Sequence, residues 1–301
     1  MDIKRLNYND KCWWCGNIAD SREHKLKKTD IERIYGTGSY QDKKLILRKN
    51  TSNLPLRGSK SDYMKFEKCM CKNCNNARSH SIDVDYTFFT DYIFKNTSNI
   101  FNEGYIDLTE VFGNQWEEKT KNIFRYLAKH VACQAATANY EVSNNIIDFL
   151  NKETDSLIDI NFMFQFRELN LYLSQVFEDD AYKQLFLGDF QYTKTSSDSL
   201  GVNNLYGFYT LDWFSVNYLY QKNIVSKVYD NKSPFDNHKI LIEIVGRQKY
   251  PSFKDITNIE EMMNILEYFD RGKLSKLSQK LHEDKVAFNF LNKLQTFKSF
   301  F

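Results

Sequence analysis

Two Cys-x-x-Cys pairs constrain this chain more than any other feature. Cys12 and Cys15 form the first pair, and Cys71 and Cys74 form the second. Each pair presents two thiolates from a tight turn, and two such turns close a tetrahedral Zn²⁺ site. A four-cysteine site has no open coordination position for chemistry. The spacing therefore predicts a structural zinc that fastens two distant segments together.

Composition bounds the class of protein. The 301 residues suffice for one large or two ordinary domains, and 42% hydrophobic residues with only 3 Pro are typical of a folded chain. We see no basic region followed by an apolar run at the N-terminus and no stretch of 18 apolar residues, so we expect neither a signal peptide nor a membrane span. We expect a cytoplasmic protein, in which paired cysteines bind metal rather than form disulfides.

Charge is distributed unevenly along the chain. Residues 1–82 contain 18 Lys and Arg against 9 Asp and Glu, although the whole chain has a formal charge of only +2. A basic surface around a metal site suits a polyanion such as nucleic acid. The alternative is a solvated basic loop without a partner.

The hydrophobic pattern predicts an α+β fold with two domains, residues 1–100 and residues 101–301. In the first domain we predict strands at 21–26, 43–49 and 63–68, a short helix over 31–35, and a helix that starts at Asn75. The second domain is predicted to be mostly helical, with helices over 115–138, 144–150, 161–177, 258–269 and 273–301. Its few strands are expected within 206–220 and at 239–245, and a loop is expected over 192–201.

Three further residues accompany the cysteine pairs. Glu23 and His24 follow Cys15 after a short interval, and Asn75 directly follows Cys74. Cysteine pairs, an acid-His dipeptide and a Cys-Asn junction in this order resemble the HNH endonuclease family. The resemblance is to its branch with four zinc cysteines, which includes the endonuclease VII type of resolvase. It covers about residues 10–95 and implies a ββα-metal finger.

The resemblance implies a role for each of these residues. His24 would be the general base that takes a proton from water, for which an imidazole is suited because its pKa lies near neutrality. Glu23 and Asn75 would bind a catalytic Mg²⁺ or Mn²⁺, because hard divalent cations prefer oxygen ligands. Cys12, Cys15, Cys71 and Cys74 would hold the structural Zn²⁺.

The last position of the family motif is ambiguous. Asn76 and His80 are spaced i, i+4 and share a helix face, whereas Asn75 and His80 are spaced i, i+5 and point apart. Asn76 and His80 therefore stay open as additional site residues. Arg78 is either a phosphate clamp or an ordinary helix-surface arginine. Lys25, Lys27 and Lys28 are candidate nucleic-acid contacts.

Other cysteine, histidine and tryptophan residues have simpler interpretations. We expect Cys133 and His130 to be core residues of the 115–138 helix, and Trp13 and Trp14 to pack beneath the first cysteine pair. Cys69 is too far from Cys74 in sequence to form a zinc knuckle.

The predicted function is metal-dependent endonuclease cleavage of nucleic acid, with DNA favoured, in restriction or phage defence. A homodimer and a regulatory or defence partner fit this function, but no residue requires them. The main alternative is a non-catalytic zinc-stabilised nucleic-acid-binding module. A thiol redox switch is a third interpretation.

Overall fold

The computed structural model describes residues 2–43, 45–49, 52–168, 170–171, 174, 183, 185–193, 201–222 and 238–245, and in these residues the predicted α+β class is confirmed. The helices are α1 (Lys28–Tyr35), α2 (His80–Lys95), α3 (Thr97–Glu103), α4 (Leu108–Phe112), α5 (Trp116–Thr137) and α6 (Asn144–Leu150). The predicted helices over 31–35, 115–138 and 144–150 correspond to α1, α5 and α6. The helices predicted over 258–269 and 273–301 lie outside the described residues.

A mixed β-sheet is the largest element of the described chain. Its strands are β3 (Tyr105–Asp107), β4 (Ile160–Arg167), β5 (Leu185–Leu187), β6 (Gln191–Thr193), β7 (Asn204–Leu211), β8 (Phe214–Tyr220) and β9 (Lys239–Val245). The order is β3-β9-β4-β8-β7-β5, with β6 also paired to β7, and only β4 and β9 run parallel. The strands predicted within 206–220 and at 239–245 are present as β7, β8 and β9.

The prediction of a helix over 161–177 is wrong at its start. Residues 160–167 form β4, which pairs with β8 so that Phe166 opposes Phe214. Ile160, Phe162, Phe164 and Phe166 alternate with less apolar residues, which is the period of a strand rather than a helix. Of the remaining residues to 177, those that the structure describes (168, 170, 171 and 174) are helical, as predicted, and the others lie outside the described part. The described portion of 101–301 therefore contains more strand than we predicted.

The N-terminal part consists of short elements around bridged, extended segments. The strands β1 (Ile46–Lys49) and β2 (Ser52–Pro55) pair antiparallel, which partly confirms the strand predicted at 43–49. The segments predicted as strands at 21–26 and 63–68 run antiparallel but make only isolated pairs, Ser21 with Met70 and His24 with Lys65. Between these two pairs the first segment advances by three residues and the second by five. The second segment therefore contains a bulge that interrupts the ladder. A single 3₁₀ turn, Asp62–Met64, begins the second segment.

The helix predicted from Asn75 begins differently from expectation. A π-helical turn, Asn73–Arg78, carries Cys74 and Asn75, and the regular helix α2 starts only at His80. Such wide turns are often found at functional sites. The loop predicted over 192–201 begins with β6, and residues 194–200 lie outside the described part.

One hydrophobic core runs through the described residues from Ile3 to Ile242. Helices α2 and α5, which lie on either side of the predicted boundary near residue 100, pack against each other. Ile3 also pairs with Val202 through two backbone hydrogen bonds of 2.8 and 3.0 Å. Gly201 permits this approach, because a Cβ there would lie 2.8 Å from the Ile3 carbonyl oxygen. The division at residue 100 stays a prediction.

None of the helices in the described residues combines the length and the apolar character needed to cross a bilayer.

Candidate metal and catalytic centre

The four paired cysteines come together in space. The Sγ atoms of Cys12, Cys15, Cys71 and Cys74 all lie within 4.8 Å of one another, and those of Cys15 and Cys71 are 3.6 Å apart. Tetrahedral Zn–S bonds of about 2.3 Å place sulfur atoms about 3.8 Å apart. The spacing of the thiols therefore fits a zinc ion, and the prediction of a four-cysteine metal site is supported by geometry.

Local backbone bonds shape each cysteine turn. In the first, the Gly16 N–H donates to the Cys12 carbonyl at 2.8 Å, and Gly16 has a φ of 76°, a conformation that costs glycine little. In the second, the Cys74 N–H points at the Cys71 Sγ at 3.4 Å, and the Asn75 N–H donates to the Cys71 carbonyl at 3.0 Å. These bonds present the sulfur atoms of each pair toward the other pair.

The pKa values of the thiols shift in different directions. Burial raises the pKa of Cys74 and of Cys12, whereas hydrogen bonds from the Cys74 backbone and the neighbouring thiols lower the pKa of Cys71 against the effect of its burial. A buried thiolate in such a place needs a positive charge, which a metal ion supplies. Cys69 and Cys133 are also buried but stand outside the four-sulfur cluster, and the Cys133 Sγ contacts the Met70 Sδ at 3.3 Å.

The tryptophans and Arg78 pack around the cluster. The rings of Trp13 and Trp14 are buried and stacked with centroids 5.7 Å apart, and their packing beneath the first cysteine pair stays a prediction. The Arg78 guanidinium lies 4.7 Å from the Trp14 ring centroid and donates to the Asn151 Oδ1 at 2.6 Å. Trp14 Nε1 donates to the same oxygen at 2.8 Å. Arg78 thus makes structural contacts with α6, while its predicted phosphate contact stays a prediction.

Asn75 directs its amide oxygen to a buried position. Its Nδ2 donates to the Ser21 Oγ at 2.9 Å and approaches the Arg22 carbonyl oxygen at 3.4 Å. A carbonyl oxygen accepts only, so these contacts identify the nitrogen and hence the oxygen of the amide. Asn75 Oδ1 is buried without a hydrogen-bond partner among the described residues. An amide oxygen in that state fits the cation-ligand role predicted for Asn75.

His24 is held by the bridged segments described above. Its backbone pairs with Lys65, and its Nε2 is buried without a hydrogen-bond partner among the described residues. Burial, together with the charges of nearby lysines of which Lys65 contributes most, lowers the pKa of His24 to about 4. The imidazole is therefore neutral at pH 7 and can accept a proton.

Glu23 lies in an ion-pair network rather than at an open surface. Its Oε1 is 3.5 Å from the Lys129 Nζ, and the same nitrogen lies 2.7 Å from the Asp83 Oδ1. Burial raises the pKa of Glu23, and the Lys129 charge opposes that rise. Lys27 joins the network, because its Nζ donates to the Asp83 carbonyl at 2.8 Å.

The remaining predicted residues occupy varied positions. Asn76 and His80 are exposed, and the structure gives neither a contact with His24 or Glu23. Lys28 pairs with Glu32 at 3.3 Å, and Lys25 is half-buried. Lys27 is already engaged by Asp83, so its ammonium is not at an open surface. Nucleic-acid contacts by the three lysines stay predictions.

Sequence reasoning missed Asp83, Lys129 and the docking role of His130. The His130 Nε2 bonds the Lys25 carbonyl at 2.6 Å, so this histidine is a core residue, as predicted, and also ties α5 to the Glu23–His24 segment. A signal existed for Lys129, because it is a charged residue in the middle of the long buried stretch of α5. Charged residues are almost never fully buried unless they are paired.

Comparison with known proteins provides no relative: no protein-family model matches the chain, and neither the curated proteins nor the solved structures contain a significant match.

Proposed function

We propose that this protein is a metal-dependent HNH endonuclease that hydrolyses phosphodiester bonds of nucleic acid, with DNA as the favoured substrate. The observation that carries the proposal is a pair of buried, unpartnered atoms among the described residues, Asn75 Oδ1 and His24 Nε2. They lie on the two segments that the four-thiol cluster joins. Orphaned buried polar atoms are rare in folded proteins, and those that occur need an explanation such as a catalytic role or a ligand.

His24 is neutral at pH 7, as a general base must be, but its pKa lies below the near-neutral value expected from the sequence, which makes it a weaker base. With its pKa lowered to about 4 by burial and neighbouring lysines, its ring is neutral at pH 7. Water attacks the phosphorus, its proton passes to His24 Nε2, and the bond from phosphorus to the leaving sugar oxygen breaks. Asn75 and Glu23 would hold Mg²⁺ or Mn²⁺, which supplies charge neutralisation at the phosphate. The excess of Lys and Arg over Asp and Glu in residues 1–82 attracts the polyanionic substrate.

Cleavage of supercoiled plasmid tests the proposal. Purified zinc-loaded wild type is compared with His24→Ala and with His238→Ala, which removes an imidazole outside the proposed centre, in Mg²⁺, Mn²⁺ or EDTA. We expect metal-dependent nicking by wild type and His238→Ala, and a loss of about 10²–10⁴-fold in His24→Ala. Zinc content and thermal unfolding verify that all three proteins are folded. Equal nicking by His24→Ala would refute the role of His24.

One observation favours the alternative of a non-catalytic zinc-stabilised binding module. Glu23, the proposed metal ligand, is already neutralised by Lys129. A binding module predicts nucleic-acid binding by wild type and His24→Ala alike, with no cleavage of DNA or RNA by either. Parallel binding and cleavage assays on both polymers separate the two functions and identify the preferred substrate.

The biological setting is part of the proposal. We propose a role in restriction or phage defence, with a homodimer or a regulatory partner controlling the nuclease. Cleavage of host and phage DNA at equal rates without a partner or trigger would contradict a defence role.

A further inference from the structure

Lys129 lies at the centre of the proposed active site although it belongs to α5, far from the motif in sequence. Its side chain is 1% exposed, and its Nζ contacts both Asp83 and Glu23, at 2.7 and 3.5 Å. Burial alone would lower the pKa of Lys129, but the charges of Glu23 and Asp83 raise it above the ordinary value. Lys129 is therefore an ammonium held between two carboxylates.

The position of this ammonium is fixed from several sides. The neighbouring residue His130 bonds the Lys25 carbonyl at 2.6 Å, which ties α5 to the Glu23–His24 segment. Asp83 is fixed in turn by Ser79, whose Oγ lies 2.8 Å from Asp83 Oδ2 and 2.9 Å from the Asn75 carbonyl oxygen, two acceptors that share its one proton. The ammonium is thus a built component of the centre rather than a surface contact.

A second observation points to a ligand on the same segments. Asn75 Oδ1 is buried and without a hydrogen-bond partner among the described residues. An amide oxygen and a carboxylate such as that of Glu23 are the types of ligand that hard divalent cations prefer. A divalent cation on Glu23 would repel an ammonium that contacts the same carboxylate.

We propose that Lys129 is an internal counter-cation that competes with the catalytic divalent cation for Glu23, so that uptake of the divalent cation requires displacement of the Lys129 ammonium. The inference rests on the proposed function, because the competing cation is the one that the nuclease mechanism needs. In the resting protein Lys129 satisfies Glu23 and Asp83, and the nuclease centre is held in a low-affinity state. Cation binding and the position of α5 are therefore coupled.

Direct measurement of Mn²⁺ binding tests this competition without any nucleic acid. Mn²⁺ affinity of the full zinc-loaded chain is measured by electron paramagnetic resonance at pH 8 for wild type, Lys129→Met, Lys129→Arg and Lys121→Met. Lys129→Met removes the charge with little change in volume, and Lys129→Arg keeps the charge. Lys121 lies on the same helix and pairs with Asp155 at 2.7 Å outside the centre, so Lys121→Met is the matched control for loss of one positive charge.

We expect Lys129→Met to bind Mn²⁺ at least tenfold more tightly than wild type, while Lys129→Arg and Lys121→Met do not. Unchanged or weaker binding by a folded Lys129→Met would overturn the proposal. If that variant does not fold, wild type decides the matter through the side-chain ammonium signal of ¹⁵N-labelled lysine. Loss of the protected Lys129 signal on addition of Mg²⁺ supports displacement, and an unchanged signal overturns it.

These measurements are separate from the test of nuclease activity. Tighter Mn²⁺ binding by Lys129→Met together with an inactive wild type would retain the counter-cation and reject the nuclease. Nicking by wild type together with unchanged Mn²⁺ affinity in Lys129→Met would retain the nuclease and reject the counter-cation.

Discussion

Two groups of negatively charged or ionisable side chains lie side by side in this protein, and they differ in where their positive charge comes from. At the thiol cluster the basic side chain is at the rim, where an Arg78 nitrogen is 3.9 Å from the Cys74 Sγ. At the carboxylate pair, Lys129 lies at the centre, 2.7 Å from Asp83. The first group depends on a cation from outside the chain, and the second carries its own.

The difference separates a cluster that could hold a structural metal from a pair of carboxylates whose positive charge comes from a lysine of the chain. Four soft thiolates bind Zn²⁺ tightly and leave no open position, so their metal is part of the fold. An internal ammonium prevents the cost of unpaired buried carboxylates when no divalent cation is bound. The fold can then persist with or without the proposed catalytic ion.

Removal of zinc should have the largest effect. We expect Cys74→Ser to lose about one zinc per chain and to lose cooperative unfolding of the N-terminal segments, because structural zinc sites in small domains contribute about 10 kcal/mol or more. The zinc released on denaturation and the thermal unfolding curve are measured on the same samples. Cys133→Ala, which removes a buried thiol outside the cluster, should keep its zinc. Retention of zinc by Cys74→Ser would contradict the four-cysteine metal site, and with it the contrast between the thiol cluster and the carboxylate pair.

Loss of the internal cation should have the next largest effect. Without divalent cations, we expect Lys129→Met to lower the free energy of unfolding by about 3–5 kcal/mol, because it removes the ammonium that pairs with the largely buried Glu23, whereas Asp83 keeps Lys27 at 3.6 Å. Denaturant unfolding measures the loss, and added Mn²⁺ should restore more stability to the variant than to wild type. A loss below about 1 kcal/mol would mean that the carboxylates do not need Lys129.

Acid should weaken the attachment of α5 to the proposed centre. Burial lowers the pKa of His130 to about 4 from an unfolded value of 6.5, so the unfolded chain binds the extra proton between these values. The contribution of neutral His130 is complete above pH 6.5 and is lost as the pH falls toward 4, by about 3 kcal/mol. Denaturant unfolding of wild type and His130→Gln across this window should show a shallower pH dependence in the variant. If the free energy of unfolding varied with pH in the same way in wild type and His130→Gln, a buried neutral His130 would be excluded.

The rim arginine should have the smallest effect. We expect Arg78→Met to cost about 1–2 kcal/mol, because it loses the bond to Asn151 and the contact with the Trp14 ring, while zinc content stays at wild-type level. Lys72→Met, at a 73% exposed side chain paired with Asp20, should cost less than about 1 kcal/mol. Loss of zinc from Arg78→Met would mean that the thiolates need the positive charge of Arg78 in addition to that of the metal.

Sequence alone predicted the parts of this protein that depend on local spacing. The cysteine cluster, α1, α5 and α6 follow from short-range patterns, and so does β9. The strand β4 was missed because its aromatic alternation was outweighed by the expectation of helix along the following residues. The pairs Ser21–Met70 and His24–Lys65 depend on the register between two segments that are distant in sequence, and no local pattern specifies that register.

The candidate centre was predicted only where the family resemblance gave residues to examine. Glu23, His24 and Asn75 came from the motif, and their catalytic roles stay predictions. Lys129 belongs to a helix whose packing against α2 brings it to Asp83, and this contact depends on tertiary structure. A lysine in the middle of an apolar helix was the only sequence signal for it.

The pairing of Ile3 with Val202 has a consequence for how the chain is made. Translation proceeds from the N-terminus, so all four zinc thiols have been synthesised once Cys74 has been added. Glu23, His24 and Asn75 are then present in a nascent chain that does not yet contain Lys129. The first backbone segment obtains its partner only after residue 202 has emerged. During synthesis the four thiols are therefore complete before Lys129 exists, and the first residues made can pair with Val202 while β9 is still to be synthesised.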